Sequence, residues 1–267
     1  MVVGSNTSGR TREAPLLSVV IPAYNEEANI RGGVLRDVVD YLSGREYASE
    51  VIVVDDGSED STVALVEEAA RAWPIVTLKR SGHGGKARAV TAGVLAARGD
   101  LIVFTDMDES TPIRYVDEVV SELQAGNDVV IGSRWMRGSA RLREPPVRNV
   151  LGRGFALLVR TLLLPGISDS QCGFKGFRRE AARELFGGMR VFGQGGGPRK
   201  GPMVTAFDVE LLVLATKRRY RVKEIPVTWH HVATARVNPI PDACRMFKQV
   251  AQVWFNRLRG QYNAPDG

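Results

Sequence analysis

Cysteine is nearly missing from this chain of 267 residues, which carries only Cys172 and Cys244. They lie far apart with no second Cys or His at ligand spacing, which excludes a disulfide framework and a zinc site. Two reduced, mostly buried thiols are expected instead. Aromatic residues are sparse at 7%, which argues against a nucleic-acid face of stacked rings between basic side chains. Long apolar runs are absent. The best stretch, Phe155 to Ile167, is interrupted by Arg160 and falls short of the ~20 residues a membrane span needs. Residues 1–14, "MVVGSNTSGRTREA", lack the apolar centre of a signal peptide and read as a flexible tail. The expectation is a cytoplasmic protein whose membrane contact, if any, is peripheral, on the inner face of the cell membrane.

What is present is an ordinary globular composition, 44% hydrophobic and 25% charged, with a formal net charge of +6. The positive excess points to an anionic partner without choosing among phosphate ligands, acidic membrane and nucleic acid.

The first half alternates between two periods. "LLSVVIPAY" reads as a buried strand ending at Pro22, and Asn25 to Leu42 as a helix capped by Asn25. "EVIVVDDGS" is a second strand, and Asp60 or Ser61 caps the helix "TVALVEEAARAW". "IVTLKR", "DLIVFTD" and "DVVIGSR" are further strands, separated by the helices "GKARAVTAGVLAAR" and "PIRYVDEVVSELQ". Near-continuously apolar strands alternating with helices predict an α/β fold with a parallel sheet covered on both faces. In such sheets ligands bind at the carboxyl ends of the strands. The second half is less regular. It reads as a helix over 147–164, a short strand "QCGFKGF", a helix over 178–186, a Gly/Pro-rich loop over 192–202, a helix "FDVELLVLATKRR", a strand "KEIPVTW" and an amphipathic helix over 242–258.

Polar residues collect where the strands end. In "LIVFTDMDES", Asp106 and Asp108 follow the apolar run at i and i+2, so an extended chain points both carboxylates the same way. Two like charges that close ask for a cation, and hard oxygen ligands suit Mg²⁺ or Mn²⁺ completed by substrate phosphates. Asp55 and Asp56 end the second strand, where Gly57 makes a turn and one carboxylate is placed to meet a base or ribose. "SGHGGKARA" is a Gly-rich loop feeding a helix N-terminus, whose free N–H groups and Lys86 favour an anion. It is not a Walker A sequence, and His83 reads as a loop residue rather than a catalyst. Arg134 ends the fifth strand and Arg148 opens the next helix, and guanidinium forks of this kind bind phosphate.

Taken in order, "VVIPAYNEE", "VIVVDDGSEDST", "GGKARAVTAG", "FTDMDESTP", "VIGSR", "SQCGFKGF", "FDVELL" and "EIPVTW" resemble the family 2 glycosyltransferases of the GT-A fold, nearest the polyprenyl- (dolichyl-) phosphate β-glucosyltransferase branch. The resemblance covers about residues 15–232 and implies a GT-A domain there; 233–267 is a C-terminal amphipathic helix whose apolar stripe, like that of helix 147–164, fits either the core or a membrane-facing surface. It implies metal binding by Asp106, Asp108 and Ser110. Donor nucleotide binding falls to Pro22, Ala23, Tyr24, Glu26, Asp55, Asp56, Lys86, Asp106 and Met107. The acceptor phosphate falls to Ser133, Arg134 and Arg148, and the sugar and acceptor cleft to Gln171, Asp208 and Glu210. Asp106, Asp108 and Arg134 would carry the chemistry. The chain departs from the family's usual wording in two places. Glu109 adds charge beside the expected metal, and His-Gly-Gly-Lys-Ala at 83–87 replaces Asn-x-Gly-Lys-Gly.

The implied reaction moves a hexose, glucose from UDP-glucose first, to polyprenyl phosphate by inverting displacement with Mg²⁺ or Mn²⁺. GDP-mannose, a UDP-N-acetylhexosamine or a soluble acceptor are the alternatives. A sugar-nucleotide pyrophosphorylase is disfavoured because no Gly-rich loop follows the first strand directly.

Overall fold

A computed structural model describes residues 14–142, 146–193, 205–232 and 239–263, with the side chains of 146–148, 151 and 239–243 left undescribed. The expected tail over 1–14 falls almost wholly outside these residues, as does most of the 192–202 loop.

The alternation becomes β1 (Leu17–Ala23), α1 (Glu27–Arg31), α2 (Val34–Ser43), β2 (Ser49–Asp55), α3 (Thr62–Ala72), β3 (Val76–Arg80), α4 (Lys86–Ala96) and β4 (Leu101–Phe104). A 3-10 turn over Ile113–Tyr115 leads into α5 (Val116–Gln124), then β5 (Val129–Ser133), β6 (Ala140–Leu142) and α6 (Pro146–Leu162). The chain continues with β7 (Lys175–Arg178), α7 (Arg179–Gly188), α8 (Phe207–Lys217), β8 (Val222–Pro226), β9 (Thr228–His230) and α9 (Pro239–Leu258).

Seven strands form the main sheet in the order β3-β2-β1-β4-β7-β5-β8, and β6 pairs with β9 in a small second sheet. All neighbours in the main sheet run parallel except β7, which lies antiparallel between β4 and β5. The strands are apolar on both sides because both sides are covered. Val19, Ile21, Val51, Val53 and Val103 face α2, α3 and α5, while Val20, Ile52, Val54 and Phe104 face α4, α7 and α8. Gly93 lets α4 lie close on the sheet, since a Cβ there would stand 2.3 Å from Val20 Cγ1.

Two expectations are corrected. The helix predicted over 25–42 is broken at Gly32-Gly33, where Gly33 takes φ +96. Asn25 does not cap it: its Oδ1 accepts the Glu59 N–H at 2.8 Å, tying the turn after β1 to the turn after β2. Cys172 is buried as expected, but Cys244 is exposed on α9.

Candidate active site

Because β1, β2, β4, β5 and β8 are parallel, their carboxyl ends share one rim, and the reversed β7 brings its amino end, Lys175, to the same place. The chain order turns back at β1, with β2 on one side and β4 on the other, which opens a crevice at the rim.

On the β1–β2 side the acids are absorbed by turns. Asp55 accepts the N–H groups of Gly57 and Ser58, both at 3.1 Å. Asp56 accepts the N–H groups of Gly84 and Gly85, both at 2.8 Å. This corrects the reading of the Gly-rich loop as an open anion cradle: two of its N–H groups are already spent on a protein carboxylate. His83 Nδ1 lies 2.6 Å from the Asp56 carbonyl oxygen and 3.2 Å from its Oδ2, so this nitrogen carries the ring proton. The Tyr24 ring stands 4.6 Å from the His83 ring. Pro22 and Ala23 end β1 beneath Tyr24, and the Glu26 N–H donates to Thr62 Oγ1 at 2.7 Å.

Past β4 the chain turns sharply. Lys86 Nζ sits 2.5 Å from Asp106 Oδ1, both side chains about one-third exposed at 32% and 33%. Burial lowers the Lys86 ammonium pKa, but Asp106, Asp208 and Asp108 outweigh it and hold the group above its usual range. Asp108 Oδ1 accepts the Ser110 N–H at 2.9 Å. Burial first, and the Asp106 charge second, push the Asp108 carboxyl above the usual aspartate range. Met107 is buried at 2% exposure beneath these acids. Glu109 takes φ +48, and its Oε1 accepts the Ile113 N–H at 3.0 Å, which starts the 3-10 turn, while its charge and that of Asp108 still repel.

At the end of β5, the Arg134 fork grips Asp169 through Nε at 2.7 Å and Nη2 at 2.9 Å. Burial alone would raise the Asp169 carboxyl, but Arg134 outweighs it and holds the group below the usual range. The fork expected to meet an acceptor phosphate is therefore engaged within the protein. Ser133 is fully buried and its Oγ has no hydrogen-bond partner among the described residues. Gln171 donates its backbone N–H to Asp169 Oδ1 at 3.0 Å, and its buried Nε2 has no hydrogen-bond partner among the described residues. Arg148 lies in the first turn of α6, and its side chain is among those left undescribed.

Two acids on α8 divide the same way. Asp208 Oδ1 accepts from the buried Lys175 Nζ at 2.6 Å. Glu210 accepts the N–H groups of Arg190, Val191 and Phe192 and the Tyr262 hydroxyl, between 2.7 and 2.9 Å. Glu210 thus holds the 190–192 turn and α9's trailing segment, and none of its contacts face the rim acids. Sequence reasoning missed Asp169, Lys175 and Gly173. A Cβ on Gly173 would stand 2.1 Å from Asp106 Oδ2, so this glycine backs the acid.

Among the described residues no three His, Cys, Asp or Glu side chains converge as a closed metal cage. Two carboxylates and a serine hydroxyl at a rim are instead the donor set of a hard divalent cation that a diphosphate completes. The raised Asp108 carboxyl, repelled by Asp106, is what such a cation would relieve.

Comparison with known proteins adds the following. Residues 18–186 match the model of Glycosyl transferase family 2. A dolichyl-phosphate β-glucosyltransferase of Trichomonas vaginalis is 37% identical over 92% of this chain and 73% of its own. The enzyme of that name from Saccharomyces cerevisiae is 31% identical over 94% and 77%. Among solved structures, glucosyl-3-phosphoglycerate synthase of Mycobacterium tuberculosis with Mn²⁺ and UDP is similar at TM-score 0.59, with 22% identity over 95% of this chain and 82% of that one. A mannosyltransferase of Pyrobaculum calidifontis with GDP-mannose and Mn²⁺ is similar at TM-score 0.59, with 23% identity over 96% and 66%.

Proposed function

From the premise that this chain belongs to glycosyl transferase family 2 and has the GT-A fold, we propose that it transfers glucose from UDP-glucose to a polyprenyl (dolichyl-type) phosphate. The product is a β-linked lipid-phosphate sugar. The observation that carries the reading is the 31–37% identity, over more than nine-tenths of the chain, to enzymes named for that reaction.

In this reading Asp106, Asp108 and Ser110 hold Mg²⁺ or Mn²⁺, which when bound neutralises the diphosphate leaving group. Lys86 adds positive charge at the same oxygens. Tyr24 and His83 flank the base, beside Pro22, Ala23 and Glu26. Asp55 and Asp56 act by shaping the turns around it, and Met107 floors the diphosphate. Arg148 meets the acceptor phosphate, the fully buried Ser133 shapes the end of β5 without reaching it, and Arg134, clamped to Asp169, fixes that edge and lends it charge. Gln171 and Asp208 border the sugar, and Glu210 acts by holding the 190–192 turn and Tyr262 in place. The nucleophile is a phosphate oxygen, already anionic at neutral pH, so no strong general base is required. The protein's work is to align two anions against their repulsion. Direct displacement inverts the anomeric carbon of an α-linked donor and gives the β product.

The acceptor is lipid, and peripheral membrane contact through α6 and α9 belongs to the same proposal. Among the described residues no helix is long and apolar enough to cross a membrane.

The deciding experiment is a donor panel of UDP-glucose, GDP-mannose and UDP-N-acetylglucosamine against polyprenyl phosphate in detergent, 3-phosphoglycerate and free sugars. UDP-glucose with polyprenyl phosphate should give the product. Transfer to 3-phosphoglycerate with none to the lipid would overturn the acceptor, and preference for GDP-mannose would overturn the donor.

A further inference from the structure

We infer that Lys86 is a resident cation of this site. In the free protein its ammonium holds the place on Asp106 that a divalent ion takes, and it moves to the donor diphosphate when donor and metal enter together. The inference rests on the metal and donor reading above and deepens it.

The geometry is specific. Lys86 Nζ lies 2.5 Å from Asp106 Oδ1, a charge-assisted contact. Its backbone cannot drift, because Lys86 follows directly on Gly84 and Gly85, whose N–H groups are clamped by the Asp56 carboxylate at 2.8 Å. On the other flank of Asp106, Gly173 packs so closely that a Cβ would stand 2.1 Å from Oδ2. Asp106 is thus pinned from one side and neutralised by Lys86 from the other. The pair is about one-third exposed, so an arriving ligand can reach it.

Charge decides how the ligands enter. Three carboxylates, Asp106, Asp108 and Asp208, face two ammonium groups, Lys86 and Lys175, an excess of one negative charge. A diphosphate diester bound alone deepens that excess. A divalent cation bound alone reverses it and sets the metal against the Lys86 ammonium. The two together restore the starting balance, with Lys86 passing from Asp106 to the phosphate. Each ligand therefore favours the other, and the coupling is reciprocal. Lys86 is the group that changes partner.

The test measures Mn²⁺ affinity, by the electron paramagnetic resonance signal of the free aqueous ion, with and without UDP. Wild type is compared with Lys86→Met and Lys86→Gln, both checked for folding by circular dichroism and melting. Without UDP, both variants should bind Mn²⁺ about tenfold more tightly than wild type, and UDP should tighten Mn²⁺ less in them than in wild type. Unchanged or weaker Mn²⁺ binding in folded variants without UDP overturns the inference. So does a uniform loss of UDP affinity with Mn²⁺ alone unaffected, which would make Lys86 a phosphate ligand only. Asp108→Asn separates the two levels: it should abolish Mn²⁺ binding, and if it does not, the metal reading itself fails, whatever Lys86 does.

Discussion

Gly173 has no side chain, and the 2.1 Å that a Cβ would leave to Asp106 Oδ2 makes its substitution a local probe of the site. The clashing atom is the tip of a side chain, so Gly173→Ala should fold with near-wild-type melting while Asp106 swings aside. A displacement of that size at the reacting centre should cost about 100-fold in kcat/KM. Activity and melting measured on one preparation check it, and full activity would show that the position of Asp106 is not critical. Asp108 makes the converse case. It is held close to a like charge in a partly buried site, and Asn keeps the acceptor for the Ser110 N–H. Asp108→Asn should abolish transfer and raise stability by about 1 kcal/mol, about 2 °C in Tm without metal, as removal of a strained functional charge does. A lowered Tm would mean the carboxylate stabilises the fold. Both acids were legible in "FTDMDES", because the i, i+2 spacing at a strand end is a local signal. Gly173, Asp169 and Lys175 were not assigned roles, because theirs depend on partners dozens of residues away: Arg134 is 35 positions from Asp169, and Asp208 is 33 from Lys175.

At the scale of elements, the parallel half of the sheet was readable because period-2 and period-3.6 patterns alternate there without interruption. The reversal of β7 was not, since strand direction leaves no mark on a strand of four residues, Lys-Gly-Phe-Arg. Nor was the break between α1 and α2, where tertiary ties from Asn25 and Glu27 to the 58–62 turn override the helical pattern. The reversed β7 leaves a loop over 165–174 that must be held to the end of β5, and the Arg134–Asp169 fork holds it. Asp169 is 1% exposed, so Asp169→Asn takes the compensating negative charge out of a buried ion pair. The expected cost is about 3 kcal/mol, about 6 °C in Tm. The pH dependence has a definite sign. The folded-state carboxyl lies below its ordinary range, so its contribution is present above that range and is lost as pH falls through it toward the folded value. Wild-type Tm should drop along an acid limb below about pH 4 that Asp169→Asn flattens, and parallel limbs in the two proteins would remove the fork from the stability account.

For the whole molecule, the question is how a protein with no membrane-spanning helix among its described residues would meet the lipid acceptor proposed for it. Sequence alone left the apolar stripes of α6 and α9 undecided between core and interface, because one helix has more than one apolar edge. The fold separates them. Val159 on α6 and Leu163 just after it, with Val250 and Val253 on α9, are buried in the core. Val150, Leu157 and Leu162 on α6 and Phe247, Phe255 and Leu258 on α9 stay exposed, five of the six by more than 46% and Leu162 by 46%. The two helices are neighbours: the Phe155 and Phe247 rings meet edge-on at 6.1 Å, and Arg257 Nη1 donates to the Leu162 and Leu163 carbonyls. Arg153, Arg160 and Lys248 lie between these apolar positions in sequence, and Arg259 follows directly on Leu258. Apolar side chains interleaved with cations suit an anionic bilayer interface. Phe255→Glu with Leu258→Glu changes exposed positions only, so the fold should survive. Binding to phosphatidylglycerol vesicles by sedimentation should fall by at least about tenfold, from two lost apolar insertions and two added negative charges. Transfer to long-chain polyprenyl phosphate embedded in those vesicles should fall with it, while transfer to a short, water-soluble prenyl phosphate stays at the wild-type rate. That split is what a docking face requires, because it acts by bringing the rim to the lipid and takes no part at the anomeric carbon. Equal losses on both acceptors would place the damage inside the site, and wild-type sedimentation would move the docking face elsewhere.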